Sequence, residues 1–231
     1  MSGLTRREFM VAGSVLAGAA AVSQASGSGV LSVPRAQAAD IDFPESSCGP
    51  KIKTGQRVLV AYASYCGTTG GVAEAVGQVL CDAGAAADVR LVKHVDEVTP
   101  YRAVVVGSAV RSASWLPEAI EFVRKHGVTL SRIPVAFFLT CLALYQDTEE
   151  SRKVARSYLD PVLNAAPEVR PMDLGLFAGV LDYSKLNVVY RLAMKAKMQK
   201  KGVPEGDFRD WQAIRSWAGS VASRWSGLGT I

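Results

Sequence analysis

Arg57-Val-Leu-Val-Ala-Tyr-Ala63, a short run rich in β-formers, leads directly into Ser64-Tyr-Cys-Gly-Thr-Thr69. That junction constrains the chain more than any other stretch. Behind it Val72, Val76, Val79 and Leu80 recur at i, i+4, i+7 and i+8, the apolar stripe of a helix. A strand that passes through a hydroxyl-rich, Gly-containing turn into a helix aims several backbone N–H groups at one point. That point lies at the positive end of the helix dipole, so the turn suits a phosphate group. The dinucleotide pattern Gly-x-Gly-x-x-Gly is absent here, and so is the Gly-Lys-Ser/Thr of a nucleotide P-loop.

Beyond the turn, apolar strands alternate with amphipathic helices. Ala87–Val92 reads as a more exposed strand, and Tyr101–Gly107 is continuously apolar at its centre, as in a buried parallel strand. Leu116, Ile120 and Val123 share one face of a helix, with Pro117 in its first turn. Ile133–Leu139 is a further strand, its Pro134 near the start where one is admissible. Asp147 or Thr148 caps the next helix, which ends before Pro161, and another strand falls within Val169–Val180. In the last helix Asp207 is read as the cap, ahead of Trp211, Ile214, Ala218, Val221 and Trp225. Such alternation predicts an α/β sheet with helices on both faces, closed by right-handed crossovers.

The two ends of the chain carry different information. Thr5-Arg6-Arg7-Glu8-Phe9-Met10 is close to the twin-arginine export motif, and a moderately apolar run from Val11 to Val22 follows. Ala36-Gln37-Ala38 supplies an A-x-A cleavage site ahead of Ala39. Residues 1–38 are therefore read as a twin-arginine signal peptide and set aside from the fold. The apolar run is too short and too Gly-rich for a membrane span. Residues 39–56 read as an irregular lead-in and 57–227 as one domain. The expected location is the periplasm or the outer face of the cytoplasmic membrane.

Cys48, Cys66, Cys81 and Cys141 lack C-x-x-C spacing, and only His94 and His126 accompany them, so no metal site is expected. Export permits disulfides, but spacing does not reveal pairing. Cys81 reads as a small core residue and Cys48 as the most exposed of the four.

Ser-x-Cys-Gly-x-Thr at 64–69 resembles the flavodoxin phosphate loop, Ser/Thr-x-Thr-Gly-x-Thr, with Cys66 where that family has Thr. The resemblance implies a flavodoxin-like, doubly wound five-stranded parallel sheet in the order 2-1-3-4-5, with FMN at its carboxyl edge. The FMN phosphate would meet Ser64, Tyr65, Cys66, Gly67, Thr68 and Thr69. The ring would lie over the loops after the third and fourth strands. Those loops supply Ser108, Ala109, Val110, Arg111, Ser112 and Trp115, then Thr140, Cys141 and Leu142. Trp115 either flanks the ring or packs at the start of its helix, and Arg111 either covers the ring or forms a surface salt bridge. Cys141 has no base near it in the sequence and reads as a packing residue. No residue is assigned a catalytic role.

Gly107–Ser112, Ile133–Leu139 and Phe177–Tyr183 are similar to the flavodoxin-domain branch that contains menaquinone-dependent protoporphyrinogen oxidase, and the similarity runs over about Arg57–Val221. It implies a redox protein that oxidises a porphyrinogen-like substrate or passes electrons to a quinone. The runners-up are an exported electron carrier served by a redox partner protein, and a flavin-free binding module on the same fold. Members of that branch work from the cytoplasmic side, so the export signal is a departure. Ordinary flavodoxins are acidic, whereas this chain carries a net charge of +5.

The branch also carries an insertion near its last strand, matched here by about 183–206. Lys185, Arg191, Lys195, Lys197, Lys200 and Lys201 occur there without an acidic neighbour over 185–202, interleaved with apolar residues. Such a stretch suits an anionic membrane surface or an acidic substrate, or packs as a solvated basic helix. It lacks the aromatic-studded groove of a single-strand binder, so no nucleic-acid partner is expected. Ser64 has no His–Asp set in any recognisable motif, which argues against a hydrolase.

Overall fold

A computed structural model describes residues 41–50, 57–186, 188–227 and Gly229. It begins with strand β1 (Ser46–Cys48), strand β2 (Arg57–Ala63), helix α1 (Thr68–Asp82) and strand β3 (Ala87–Leu91). Strand β4 (Tyr101–Arg111) turns into the short β5 (Ser114–Trp115), followed by helix α2 (Pro117–Leu130) and strand β6 (Val135–Cys141). Helices α3 (Glu149–Ser157) and α4 (Asp160–Ala165) precede strand β7 (Asp173–Ala178). A two-stranded ribbon of β8 (Val180–Leu181) and β9 (Gly206–Asp207) brackets helix α5 (Val188–Lys200), and helix α6 (Trp211–Gly227) closes the fold.

The main sheet runs β1-β3-β2-β4-β6-β7, with β5 folded back on β4. Strands β3, β2, β4, β6 and β7 are all parallel. Counted among themselves they stand in the order 2-1-3-4-5, the doubly wound arrangement expected from the sequence. Their continuous apolar runs follow from burial on both faces. Val58, Val60 and Tyr62 point to one side, against Val72, Val76 and Leu80 of α1 and Ile214, Val221 and Trp225 of α6. Leu59, Ala61 and Ala63 point to the other, into a core with Phe122, Val123 and Leu159.

Three expectations need correcting. Part of the lead-in is regular: β1 pairs antiparallel with β3 at the sheet edge. Arg90 Nη1 donates to the Ser46 carbonyl at 2.6 Å, and Ser47 Oγ to Asp88 Oδ1 at 2.5 Å. Ser-Ser-Cys carries no apolar alternation, so polar pairing to an otherwise open edge makes this strand. Secondly, Cys48 and Cys81 form a disulfide, so neither is a separate packing or exposed thiol. Thirdly, the cap of α6 is Asp210, whose Oδ1 accepts from Ala213 N at 2.9 Å. Asp207 instead lies in β9 and pairs with Arg209. As expected, the helix capped by Thr148 ends before Pro161, at Ser157, and Pro161 sits in the first turn of the next helix, α4. At α3, Thr148 and Ser151 form a reciprocal capping box. Residues 1–38, together with 39, 40 and 51–56 of the lead-in, lie outside the described residues.

The insertion is held by a small cluster of its own. Met198 of α5 packs with Leu181 and Val203, against Leu142, Tyr145 and Phe208. Among the described residues, no helix is long and apolar enough to cross a membrane.

Candidate functional site

Strand register brings the three loops together. Ala63 stands beside Ser108, Ala109 beside Thr140, and Cys141 beside Ala178, so β2, β4, β6 and β7 end along one carboxyl edge. Ser64–Gly67 connects β2 to α1 at that edge. Gly67 takes a left-handed φ of 77° as the residue before α1, which only glycine adopts at little cost. Thr69 N donates weakly to Ser64 Oγ (3.4 Å), and Gly70 N donates to Gly67 O (2.9 Å). Among the described residues, the N–H groups of Tyr65, Cys66, Gly67 and Thr68 meet no acceptor. Four adjacent donors without partners, at the positive end of a 15-residue helix, form a cradle for an anion.

Neighbouring groups fix the cradle. Thr69 Oγ1 and Thr140 Oγ1 share a hydrogen bond of 2.9 Å inside the protein, tying the first turn of α1 to the end of β6. Arg209 Nη1 donates to the Thr68 carbonyl at 3.0 Å, while its guanidinium pairs with Asp207 and lies 4.5 Å from the Trp211 ring centroid. Arg111 stands over Tyr65, with its guanidinium carbon 4.6 Å from the ring centroid. Burial pushes the half-buried Cys66 thiol up; Lys185 and Arg111 pull it back and Asp182 adds to the rise. The hydroxyls of Ser64 and Thr68, the four N–H groups and the nearby cations suit a phosphate monoester.

The remaining sequence-predicted residues divide. Ala109 and Val110 are half-buried at the end of β4, and Leu142 opens the turn after β6. Arg111 and Ser112 are exposed. Ser112 and Ala113 both take positive φ, 52° and 60°, the pattern of a tight hairpin turn built here without glycine. Ser108 is fully buried; its hydroxyl donates to Ala109 O and accepts from Leu116 N, so it serves the hairpin. Trp115 also turns inward: it is buried against Phe137 at 5.1 Å between ring centroids, which removes it from the set facing a ligand. Burial pushes the Cys141 thiol up to about 11, so it stays protonated and packs.

Sequence reading missed Arg209, whose partner Thr68 is 141 residues away, and the electrostatic role of Asp182 and Lys185. The two basic residues were visible as charges, but only the fold brings them to the loop. A shallow cleft lined by Val180, Leu181, Asp182, Glu205, Gly206 and Asp207 lies on the ribbon beside these residues.

A family model described as a flavodoxin domain matches residues 59–206. Protoporphyrinogen IX dehydrogenase [quinone] of Escherichia coli strain K12 is 27% identical over 177 residues, 72% of this chain and 94% of that protein. The Leishmania major protein of the same name is 26% identical over 178 residues, 72% of this chain and 75% of its own. Among solved structures, oxidised Flavodoxin 2 from Bacillus cereus aligns at 17% identity with a TM-score of 0.45, covering 73% of this chain and 99% of that one.

Proposed function

The chain belongs to the flavodoxin-domain family, and from that premise we propose that it is an exported FMN-binding redox protein that oxidises a porphyrinogen-like substrate and passes the electrons to a quinone. The observation that carries the reading is the row of four unpartnered N–H groups at Tyr65–Thr68, aimed from the start of α1. FMN, when bound, supplies one- and two-electron chemistry that no side chain offers. The chain's own residues bind and orient it. The cradle holds the phosphate, Arg209 and the Thr69–Thr140 bond keep the cradle in place, and the ends of β4 and β6 offer backbone to the ring. Each two-electron oxidation removes two hydrogens from the substrate, as two protons and two electrons, and the same number converts one quinone to a quinol. The two relatives named as quinone-linked protoporphyrinogen IX dehydrogenases support the choice of substrate and acceptor.

Helix α5 supports a membrane-surface contact. Val188, Val189 and Leu192 are 60%, 78% and 66% exposed, beside the exposed cations Arg191, Lys195 and Lys200. Lys185, Lys197 and Lys201 lie on the same insertion. An apolar patch set among cations suits the interface of an anionic bilayer, where a quinone is dissolved. Export is supported by the twin-arginine motif and by the Cys48–Cys81 disulfide, a bond of oxidising compartments. It is checked by cell fractionation and by the mass of the recovered chain, which should begin at Ala39.

The purified folded protein should show flavin bands near about 375 and 450 nm. The band near 450 nm should bleach on anaerobic addition of protoporphyrinogen IX and return with a quinone. A colourless protein that takes up no added FMN would sink the redox reading. Bleaching by a reduced protein partner, but not by the porphyrinogen, would make it an electron carrier.

A further inference from the structure

The first described residues pack against the loop that forms the cradle. A Cβ on Gly67 would stand 2.2 Å from the Asp42 carbonyl oxygen, and one on Gly70 2.7 Å from Pro44 Cδ, so the segment packs directly on the first turn of α1. Three anchors hold it there. Tyr62 donates its hydroxyl proton to the Pro44 carbonyl at 2.9 Å. Leu91 N donates to Glu45 Oε1 at 2.8 Å, and Glu45 Oε2 lies 3.0 Å from His94 Nδ1. The third anchor is covalent: Cys48, at the end of β1, is bonded to Cys81 in the last turn of α1. One segment, 41–48, thus touches α1 at both ends. It precedes residue 59, where the family match begins.

We propose that Ile41–Cys48 is a strap that retains the FMN phosphate, and that the Cys48–Cys81 disulfide fixes it in place. The inference rests on the FMN reading above. Gly67 holds the left-handed turn that leads into the four free N–H groups, and the backbone of Asp42 packs directly against it. With the disulfide closed, the Cys48 end of the strap stays bonded to α1, so Asp42 and Pro44 return to the first turn from a tethered end. With two thiols, only the Tyr62 and Glu45 anchors and the three-residue pairing of β1 remain, and the turn opens more often. Closing the bond takes two protons and two electrons from the thiols and gives them to a disulfide of a thiol–disulfide exchange partner, which leaves as a dithiol. In a reducing compartment the strap is loose and FMN loads; in an oxidising one it is fixed and FMN stays.

The test compares the oxidised full chain with the Cys48→Ser/Cys81→Ser variant, measuring FMN affinity and release by recovery of flavin fluorescence. The variant should bind FMN about tenfold more weakly and release it correspondingly faster. Riboflavin, which lacks the phosphate, should bind both proteins equally. An FMN affinity within about twofold of the oxidised chain, or an equal loss for riboflavin, would overturn the strap. Tyr62→Phe keeps both the ring and the disulfide but removes one anchor, and should weaken FMN by about threefold. It answers the question if the double variant does not fold, an unchanged affinity then counting against the strap. If the oxidised chain takes up no FMN, the FMN reading fails by itself. The strap is then judged by hydrogen exchange across 64–72, where equal protection in both proteins refutes it.

Discussion

At the amino-terminal edge of the sheet Arg57, Asp88, Arg90 and Ser47 form a closed set, whereas at the carboxyl edge Tyr65–Thr68 present donors with nothing to bond. Arg57 grips Asp88 with two bonds, Nε to Oδ2 at 2.7 Å and Nη2 to Oδ1 at 2.8 Å. Ser47 and Arg90 complete the carboxylate, and Tyr101 lies against it. The same five strands therefore end once in satisfied charge and once in unsatisfied dipoles. A polar group buried with all its partners contributes stability and specifies register. A polar group held without partners costs stability and is kept in place by its surroundings, which is what a ligand site requires. Among the described residues, the non-glycine residues of positive φ, Ser112 and Ala113, also stand at the carboxyl edge. The contrast implies that stability and cofactor affinity can be damaged separately.

The largest effect should come from the amino edge. Asp88→Asn leaves Arg57 and Arg90 without their counter-charge and should cost about 3 kcal/mol in denaturant unfolding, with FMN affinity unchanged. The same carboxylate sets an acid limit. Burial alone would raise its pKa, but bonds from Arg57 and Ser47 and the charges of Arg57 and Arg90 bring it below the ordinary aspartate value. Its contribution is therefore whole above the unfolded value of about 3.9 and is lost as pH falls through the lower folded-state value. Unfolding free energy should hold from pH 7 to about pH 5, then decline, and decline less steeply in Asp88→Asn. An equally steep acid limb in the variant would assign that limb to other carboxylates.

Gly67→Ala should damage cofactor affinity as well as stability. A left-handed alanine costs about 1–2 kcal/mol, and its Cβ would have to displace Asp42. A stability loss of about 2 kcal/mol should accompany a loss of FMN affinity well beyond tenfold, read by fluorescence titration. Unchanged affinity would detach the cradle from the cofactor.

How much of this was legible depends on whether the physics is local. The buried strands announced themselves because both faces are covered, so Val58–Ala63 and Val135–Leu139 read as unbroken apolar runs. The turn at 64–69 was legible because strand, turn and helix are consecutive. β1 was not, since Ser46–Cys48 is made by bonds to Asp88 and Arg90 some 40 residues on. The disulfide was hidden for the same reason, joining residues 33 apart that only the fold aligns. Asp207 and Asp210 both precede α6, and composition cannot choose between them; Asp210 caps because it stands three residues before an N–H that needs an acceptor. Trp115 was ambiguous until β5 folded back on β4 and turned the indole towards Phe137.

The smallest expected effect lies where the cradle meets the ring-side loop. Thr140→Val keeps the shape of the side chain but leaves the fully buried Thr69 hydroxyl without its 2.9 Å partner. The loss should be about 1 kcal/mol of stability, less than at Asp88 because neither hydroxyl carries a charge. Thr69→Val/Thr140→Val should recover part of it, since no orphaned hydroxyl remains. Affinity for FMN should nevertheless stay reduced by a few-fold in the double variant, because the bond also sets the distance between the start of α1 and the end of β6. If the double variant regained affinity along with stability, the bond would count as core packing alone, and the carboxyl edge would lose one of the two ties that distinguish it from its satisfied counterpart.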